Sequence, residues 1–507
     1  MPVHNQHSCK IRNNSAVDFS SIPVYTYAGF SEEVVGLMAN KDNHYVIYFA
    51  FPVKDNLQFI AAIADDSTGE IALLSHILYA GEPKELESLT PRITALHIFE
   101  REIFENHGIY FKNHPWLKPV RYPYNRFNRN LQINDYPFYQ IKSHELHEVG
   151  VGPIHAGIIE PGHFRFICNG EMVLHLEIQL GWQHRGLETL LLQNKKLLQR
   201  TILSESLTGD TAVGHSLAFV GLMEALGEIQ ISEQLMVERS IALELERIAI
   251  HVGDIAALCT DVAYSLGANI FGILRTGIIN FTQSWCGNRL GKGMIRAGGI
   301  NLPFTPDHKK RLLDVLSDFE FQFIELADRT YKLPSIENRF DNIGTLSEEV
   351  ARNIGAVGMT ARMANVNREI RASHPFAGFL MYPVEPVVLP GGDVYSRFLL
   401  RREEIESSVS WIRNVLSQQS FDHISEQPLA DIKRKPNQLA ISLTEGWRGE
   451  ICHCTVSDET GELITYKIKD PSMHNWKALE LSLRNLEISD FPINNKSYNL
   501  SYCGFDL

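Results

Sequence analysis

Gly152-Pro153-Ile154-His155-Ala156-Gly157, followed by Ile159-Glu160-Pro161-Gly162-His163, is a Gly/Pro-rich turn that brings two histidines and a glutamate together. Histidine titrates near neutrality, so a carboxylate beside it suits proton handling. The plainer reading is a turn between strands carrying surface histidines. His184-Arg185-Gly186-Leu187-Glu188 opens a helix, and an acid in a first helical turn is favoured by the positive dipole end. Two further segments combine charge with turn residues. In Glu445-Gly446-Trp447-Arg448-Gly449-Glu450 an arginine sits between glycines, and in Lys469-Asp470-Pro471-Ser472-Met473-His474-Asn475-Trp476 the Asp-Pro pair sets a turn.

Seven cysteines, Cys9, Cys168, Cys259, Cys286, Cys452, Cys454 and Cys503, are an odd and scattered set that makes no disulfide framework. Only Cys452-His453-Cys454 is clustered. In a strand both sulfurs would face one side and could suit a soft metal. No second Cys/His pair completes a tetrahedral site, so the pair reads as buried, unliganded thiols.

A chain of 507 residues is long enough for roughly two or three domains with their own cores. Its formal net charge of −13, without a basic stripe, argues against a nucleic-acid partner. No stretch reaches the roughly 18–20 uncharged apolar residues of a membrane span. The nearest, Ala212 to Gly227, holds His215 and Glu224, and the polar start from Met1 to Ser21 has no signal core. A cytoplasmic protein is expected, with any membrane role reached through partners.

The elements that must position these groups follow from periodicity. Residues 45–51, 59–64 and 71–78 are β-branched and aromatic runs between polar turns, and a helical stretch covers about 93–106. A Pro- and aromatic-rich segment, 114–138, interrupts both periodicities and reads as a linker. Beyond it helical patterns dominate: 188–199, 236–266, 270–285, 307–331 and 396–416. In the clearest, Ile241, Leu245, Ile248, Val252 and Ile255 form an apolar stripe. Beside them Glu244, Arg247, His251 and Asp254 form either a solvated face or a buried polar row. Strand-like alternation returns at 451–456 and 463–468.

In this order and spacing the four segments resemble the large subunit of group 4 nickel–iron hydrogenases, of the formate hydrogenlyase and hydrogenase-4 type. They are also similar to the homologous quinone-site core subunit of respiratory complex I, which shares the His-Arg-Gly-x-Glu segment. Glu244-Leu245-Glu246-Arg247-Ile248 with His251, Asn288-Arg289-Leu290 with Gly298-Gly299, and Gly392-Asp393-Val394-Tyr395-Ser396-Arg397 extend the match. The segment from Glu100 to Ile109, followed by His114-Pro115, resembles the small hydrophilic core subunit of complex I. Hydrogenase-4-type proteins fuse that module to the large subunit, as here.

The resemblance fails where such hydrogenases hold their metals, in two Cys-x-x-Cys pairs. Counting back from His215 puts Thr208 and Thr211 at the early cysteine positions and Ser206 at the preceding arginine. The late motif falls on residues 499–504, placing Ser501 and Gly504 at the ligand positions, with Cys503 a ligand only after a one-residue slip. Hydroxyls stay protonated and hard, and make poor nickel or iron ligands. The sequence also stops at Leu507, without the extension removed when such a centre matures. Measured against the complex I pattern, the quinone-binding histidine falls at Ile159 or Glu160 unless His163 substitutes, and no tyrosine lies between Leu203 and Phe219. Glu160 lines up with the glutamate that hydrogenases use as a proton gate.

The expected fold is α+β: a small α/β module over 1–135, a linker at about 115–147, and a mainly helical large-subunit domain over 148–507. The resemblance implies a cavity in which Glu160, His163, His215 and Arg448 act on protons or an anionic ligand. His155, His184, Arg185, Thr208, Thr211, Ser501 and Cys503 would line it, with no metal bound by this chain. It further implies a quinone as the ligand, an iron–sulfur cluster in a small partner subunit, and antiporter-like membrane subunits. Two functions follow: reduction of a quinone or other small oxidant in the metal-free cavity, or a non-catalytic scaffold coupling a transport complex. Either would place the chain on the inner face of the cell membrane, as a peripheral part of a complex.

Overall fold

The computed structural model describes residues 8–157, 159–422 and 426–507. Strands Asn43–Val53, Asn56–Asp65 and Glu70–Leu78 pair consecutively and antiparallel, and contain the three runs expected to be strands. Cys9–Arg12 adds an antiparallel edge, and Val24–Tyr25 pairs with Glu70–Leu78 in parallel. Helices Tyr27–Met38 and His97–His107 cover this sheet. Phe30, Tyr48, Phe59 and His76 pack ring against ring between sheet and helix. The second helix stops at Gly108, whose φ of 72° is a left-handed cap that a Cβ would disfavour. Between 115 and 147 the regular structure is one short turn, Ile133–Asp135.

Four long helices, Glu233–Asp261, Ser265–Cys286, Pro306–Tyr331 and Val394–Gln418, form the body of the larger region. Their starts are written in the sequence: Ser232 accepts from the Leu235 N–H, Asp393 accepts from that of Ser396, and Thr305 forms a capping box with His308 ahead of Pro306. The polar row beside the apolar stripe is buried. Glu244 accepts from Arg371 at 2.9 Å, His251 meets Glu404 at 2.7 Å, and Asp254 accepts from Arg401 at 3.0 Å. Burial of so many charges is tolerable because each faces an opposite one.

The helix expected over 188–199 is two helices, Leu187–Gln193 and Leu197–Ser204. Asn194 turns to an extended conformation and its side chain bonds back to the Leu190 carbonyl. The Arg200 Nε then reaches the carbonyls of Leu191 and Asn194, satisfying acceptors that a helix end leaves free.

Strands Gln438–Glu445, Glu450–Ser457 and Leu463–Lys469 form a second sheet, packed against helix Ala212–Gly227. Its fourth strand is Ser15–Asp18, from the opposite end of the chain. Both sulfurs of Cys452 and Cys454 are buried and free, and burial pushes both thiols well above their usual range. A third sheet joins His147–Val151, His163–Asn169 and Met172–Gln179. Among the described residues, no helix is long and apolar enough to cross a membrane.

Candidate functional site

The residues at the two family ligand motifs converge. Thr208 and Thr211 sit in the turn before helix Ala212–Gly227, and Ser501 caps helix Tyr502–Asp506. The turns meet so closely that a Cβ on Gly504 would lie 2.7 Å from the Thr208 methyl and 2.7 Å from the Asp470 carboxylate. The Ser501 hydroxyl accepts from the Gly504 N–H at 2.8 Å and stands 3.4 Å from the Cys503 sulfur. Thr208, Thr211, His215 and Ser501 are each at most 3% exposed.

Arg448 organises one side. Its guanidinium forks onto Asp210, with both bonds at 2.7 Å, and donates to the Thr211 hydroxyl and the Asn499 carbonyl. The expected anion partner is therefore a residue of the chain, Asp210, in the bidentate geometry that arginine favours. Trp447 lies under the same guanidinium at 3.9 Å and donates its indole N–H to the Asp210 carbonyl.

A line of hydrogen bonds runs down the other side. The Asp470 Oδ2 meets His215 Nε2 at 3.1 Å, His215 Nδ1 meets His453 Nε2 at 3.2 Å, and His453 Nδ1 meets the Tyr466 hydroxyl at 2.7 Å. Burial pushes the Asp470 carboxyl up, but His215 and Arg448 outweigh it and hold it below its ordinary value. Burial and the facing His215 keep His453 neutral, and burial keeps the Tyr466 hydroxyl protonated. With His453 neutral, Tyr466 donates to it, it donates to His215, and His215 donates to Asp470.

The remaining predicted residues lie around this knot. Glu160 is half-buried beside Cys503; burial first, and the Glu160 charge with it, push that thiol up to about 11. His155 and His163 bond to the Gly162 and Gly152 carbonyls of their own strap, so both staple that segment. Arg185 donates to the carbonyls of Ser206, Leu207 and Cys503, tying the early turn to the late one. His184 does not join the knot. Its Nδ1 is held by the Asp506 carbonyl, and it opens on a separate cavity of about 330 Å³ beside Glu102, Arg121, Glu188 and Lys467. Of the residues expected to line one cavity, His184 thus faces a different one, held there by the Asp506 carbonyl.

Asp210, His453, Tyr466 and Asp470 carry no site signal in the sequence: Asp470 reads as a turn residue, and His453 stands between two cysteines. Strand alternation is the signal that could have found it, since His453 must face opposite to both sulfurs, toward helix Ala212–Gly227.

Two regions of the chain match known protein families. Residues 39–138 match the family model of the respiratory-chain NADH dehydrogenase 30 Kd subunit, and residues 268–431 match that of its 49 Kd subunit. Formate hydrogenlyase subunit 5 of Escherichia coli is 26% identical over 430 residues, covering 81% of this chain and 74% of the relative. Hydrogenase-4 component G of the same organism is 24% identical, covering 89% and 79%. The fused C/D protein of NADH-quinone oxidoreductase from Phocaeicola vulgatus is 25% identical, covering 86% and 90%. The chain thus joins 30 Kd-subunit and 49 Kd-subunit regions in one polypeptide and is homologous to formate hydrogenlyase subunit 5, hydrogenase-4 component G and the fused C/D proteins of NADH-quinone oxidoreductase.

Proposed function

We propose that this chain is a hydrophilic core subunit of a membrane-bound respiratory or ion-translocating complex related to hydrogenase-4 and complex I, and that it works without a nickel–iron centre. The observation that carries the second clause is the donor set at the converged turns. Two threonine hydroxyls, a serine hydroxyl engaged as a helix cap and a glycine do not fit a centre held by four thiolates. The neighbouring Cys503 is a protonated thiol at neutral pH. Among the described residues, no three of His, Cys, Asp or Glu are placed to hold one ion.

Metal analysis of the purified chain, expressed with nickel supplied, is expected to return no stoichiometric nickel. One nickel per chain would overturn the reading. Gly504→Ala tests the packing behind it. The added methyl meets Thr208 and Asp470 at sub-contact distance, so a loss of about 1–3 kcal/mol in stability is expected. A neutral result would mean that the turns stand apart, with room for a ligand.

The close packing around Thr208, Thr211 and Ser501 favours a coupling role for this knot over turnover inside it. Reduction of a quinone or other small oxidant is favoured by a different feature, the strap that carries His155, Glu160 and His163. Ile154 is 90% exposed and Ile159 58% exposed there, apolar side chains that a docked subunit would cover. A small iron–sulfur subunit seated on the strap would complete a site beside Glu160, with antiporter-like membrane subunits beyond it. His163→Ala in the assembled complex separates the two. A quinone reductase loses most of its turnover, whereas a coupler keeps electron transfer unchanged.

A further inference from the structure

A second cavity lies between the first matched region and two elements outside the second, strand Met172–Gln179 and helix Ser472–Ser482. It has a volume of about 390 Å³, within the usual size of small-molecule sites. Helix His97–His107 and the segment after it form one wall; strand Met172–Gln179 and helix Ser472–Ser482 form the other. We infer that this cavity binds an uncharged, flat aromatic molecule carrying one hydrogen-bonding group, with His97 as its polar contact.

The argument begins with what the lining leaves unsatisfied. His97 is 3% exposed and lines the cavity, yet neither ring nitrogen has a hydrogen-bond partner. Buried polar atoms are rarely left so, and an orphan facing a cavity marks a missing partner. Burial, with Arg101 and Lys477 nearby, drives His97 well below its usual value, so the ring is neutral and offers one donor and one acceptor.

The carboxylates around it are already engaged. Lys118 pairs with Glu177, and Lys477 with Glu480 at 2.6 Å. The remaining carboxylate oxygens accept the N–H groups of Tyr139 and Ile178. Arg101 donates to the carbonyls of Lys118 and Pro119 at 2.8 Å each, and Arg484 is exposed at the mouth. A cation would find no free carboxylate inside, and an anion only Arg101, already turned onto two carbonyls, so the desolvation of either would go largely uncompensated. The walls suit a ring instead. Trp116 lies tilted with its ring centre 5.2 Å from that of His97, Lys477 sits over the Trp116 ring, and Tyr136, Tyr139, Trp476 and Phe505 add further aromatic lining. Trp476 also donates to the Ser501 carbonyl, so an occupant would touch the residue that anchors the late turn.

Three probes of one shape test this on the full chain: 1-naphthol, naphthalene and 1-naphthoate. Titration followed by tryptophan fluorescence is expected to show saturable binding of 1-naphthol, about tenfold weaker binding of naphthalene, and none of the anion. His97→Phe should weaken 1-naphthol by about tenfold and leave naphthalene unaffected. Because His97 makes no hydrogen bond, that variant sacrifices none and should fold. As a check independent of any variant, the nitrogen resonances of labelled histidine should shift for one ring on adding 1-naphthol. Absence of saturable 1-naphthol binding, tighter binding of the anion, or equal 1-naphthol affinity in His97→Phe would each overturn the inference.

Discussion

Replacing Arg362 by methionine is expected to cost the fold about 3–5 kcal/mol, read as a lowered denaturant midpoint for the larger region. Arg362 is wholly buried and serves three carboxylates at once: Glu445 at 2.8 Å, Glu369 at 3.1 Å and Glu404. Removing it leaves those acids facing one another with only Arg247, Arg371 and His251 in reach. The consequence is not the loss of one bond but the stranding of charges in a medium that cannot solvate them. Glu445 already shows the tension: burial, then the nearby Glu369, push its carboxyl up to about 7 despite Arg362. Arg362→Lys should recover only part of the loss, since an ammonium cannot fork between acids. A loss under about 1 kcal/mol for the methionine variant would mean that water enters the cluster.

The second large effect depends on pH. Burial raises Glu246 to about 8, against backbone N–H bonds from Val213 and Gly214 that pull the other way. Its folded value lies above its ordinary one of 4.5, so folding is favoured by the bound proton. That contribution is complete below the ordinary carboxylate range and is lost as the pH rises through about 8. The shift corresponds to roughly 3–5 kcal/mol across that window. Glu246→Gln keeps a carbonyl for only one of the two N–H groups, so it is less stable at every pH, but it cannot ionise. Unfolding measured from pH 5.5 to 8.5 should therefore fall more steeply for the native chain than for the variant. Parallel curves would show Glu246 ionised throughout.

The sequence was most informative where side-chain period and environment agree. Tyr45 to Phe51 can only be a buried strand, and Ser232, Thr305 and Asp393 announce the helices they cap. The charged row of Glu233–Asp261 was ambiguous because Glu244, Arg247 and His251 have the same spacing whether they face water or buried partners. The partners that decide it, Glu369, Arg371 and Glu404, lie far away in the chain. Convergence of Thr208, Thr211 and Ser501 was legible only through a family pattern, since nothing local links residues about 290 apart. The placing of His184 apart from the knot was not legible: it depends on the Asp506 carbonyl, 322 residues away in sequence, just as Asp210 meets Arg448 across 238.

The pairing of Ser15–Asp18 with Gln438–Glu445 has a consequence for how the chain is made. Asn13 reinforces it, taking the Leu443 N–H and donating to the carbonyls of Leu443 and His374. A ribosome delivers Ser15–Asp18 about 420 residues before their strand partner, so that segment must wait, unpaired, while the intervening chain is made. Until it docks, Gln438–Glu445 is an open sheet edge with free N–H and C=O groups, the kind of surface that recruits stray strands. Expressing the part that carries Ser15–Asp18 apart from the part that carries Gln438–Glu445 would make that exposure permanent. The fusion in one polypeptide keeps the missing strand tethered and available when the last sheet forms.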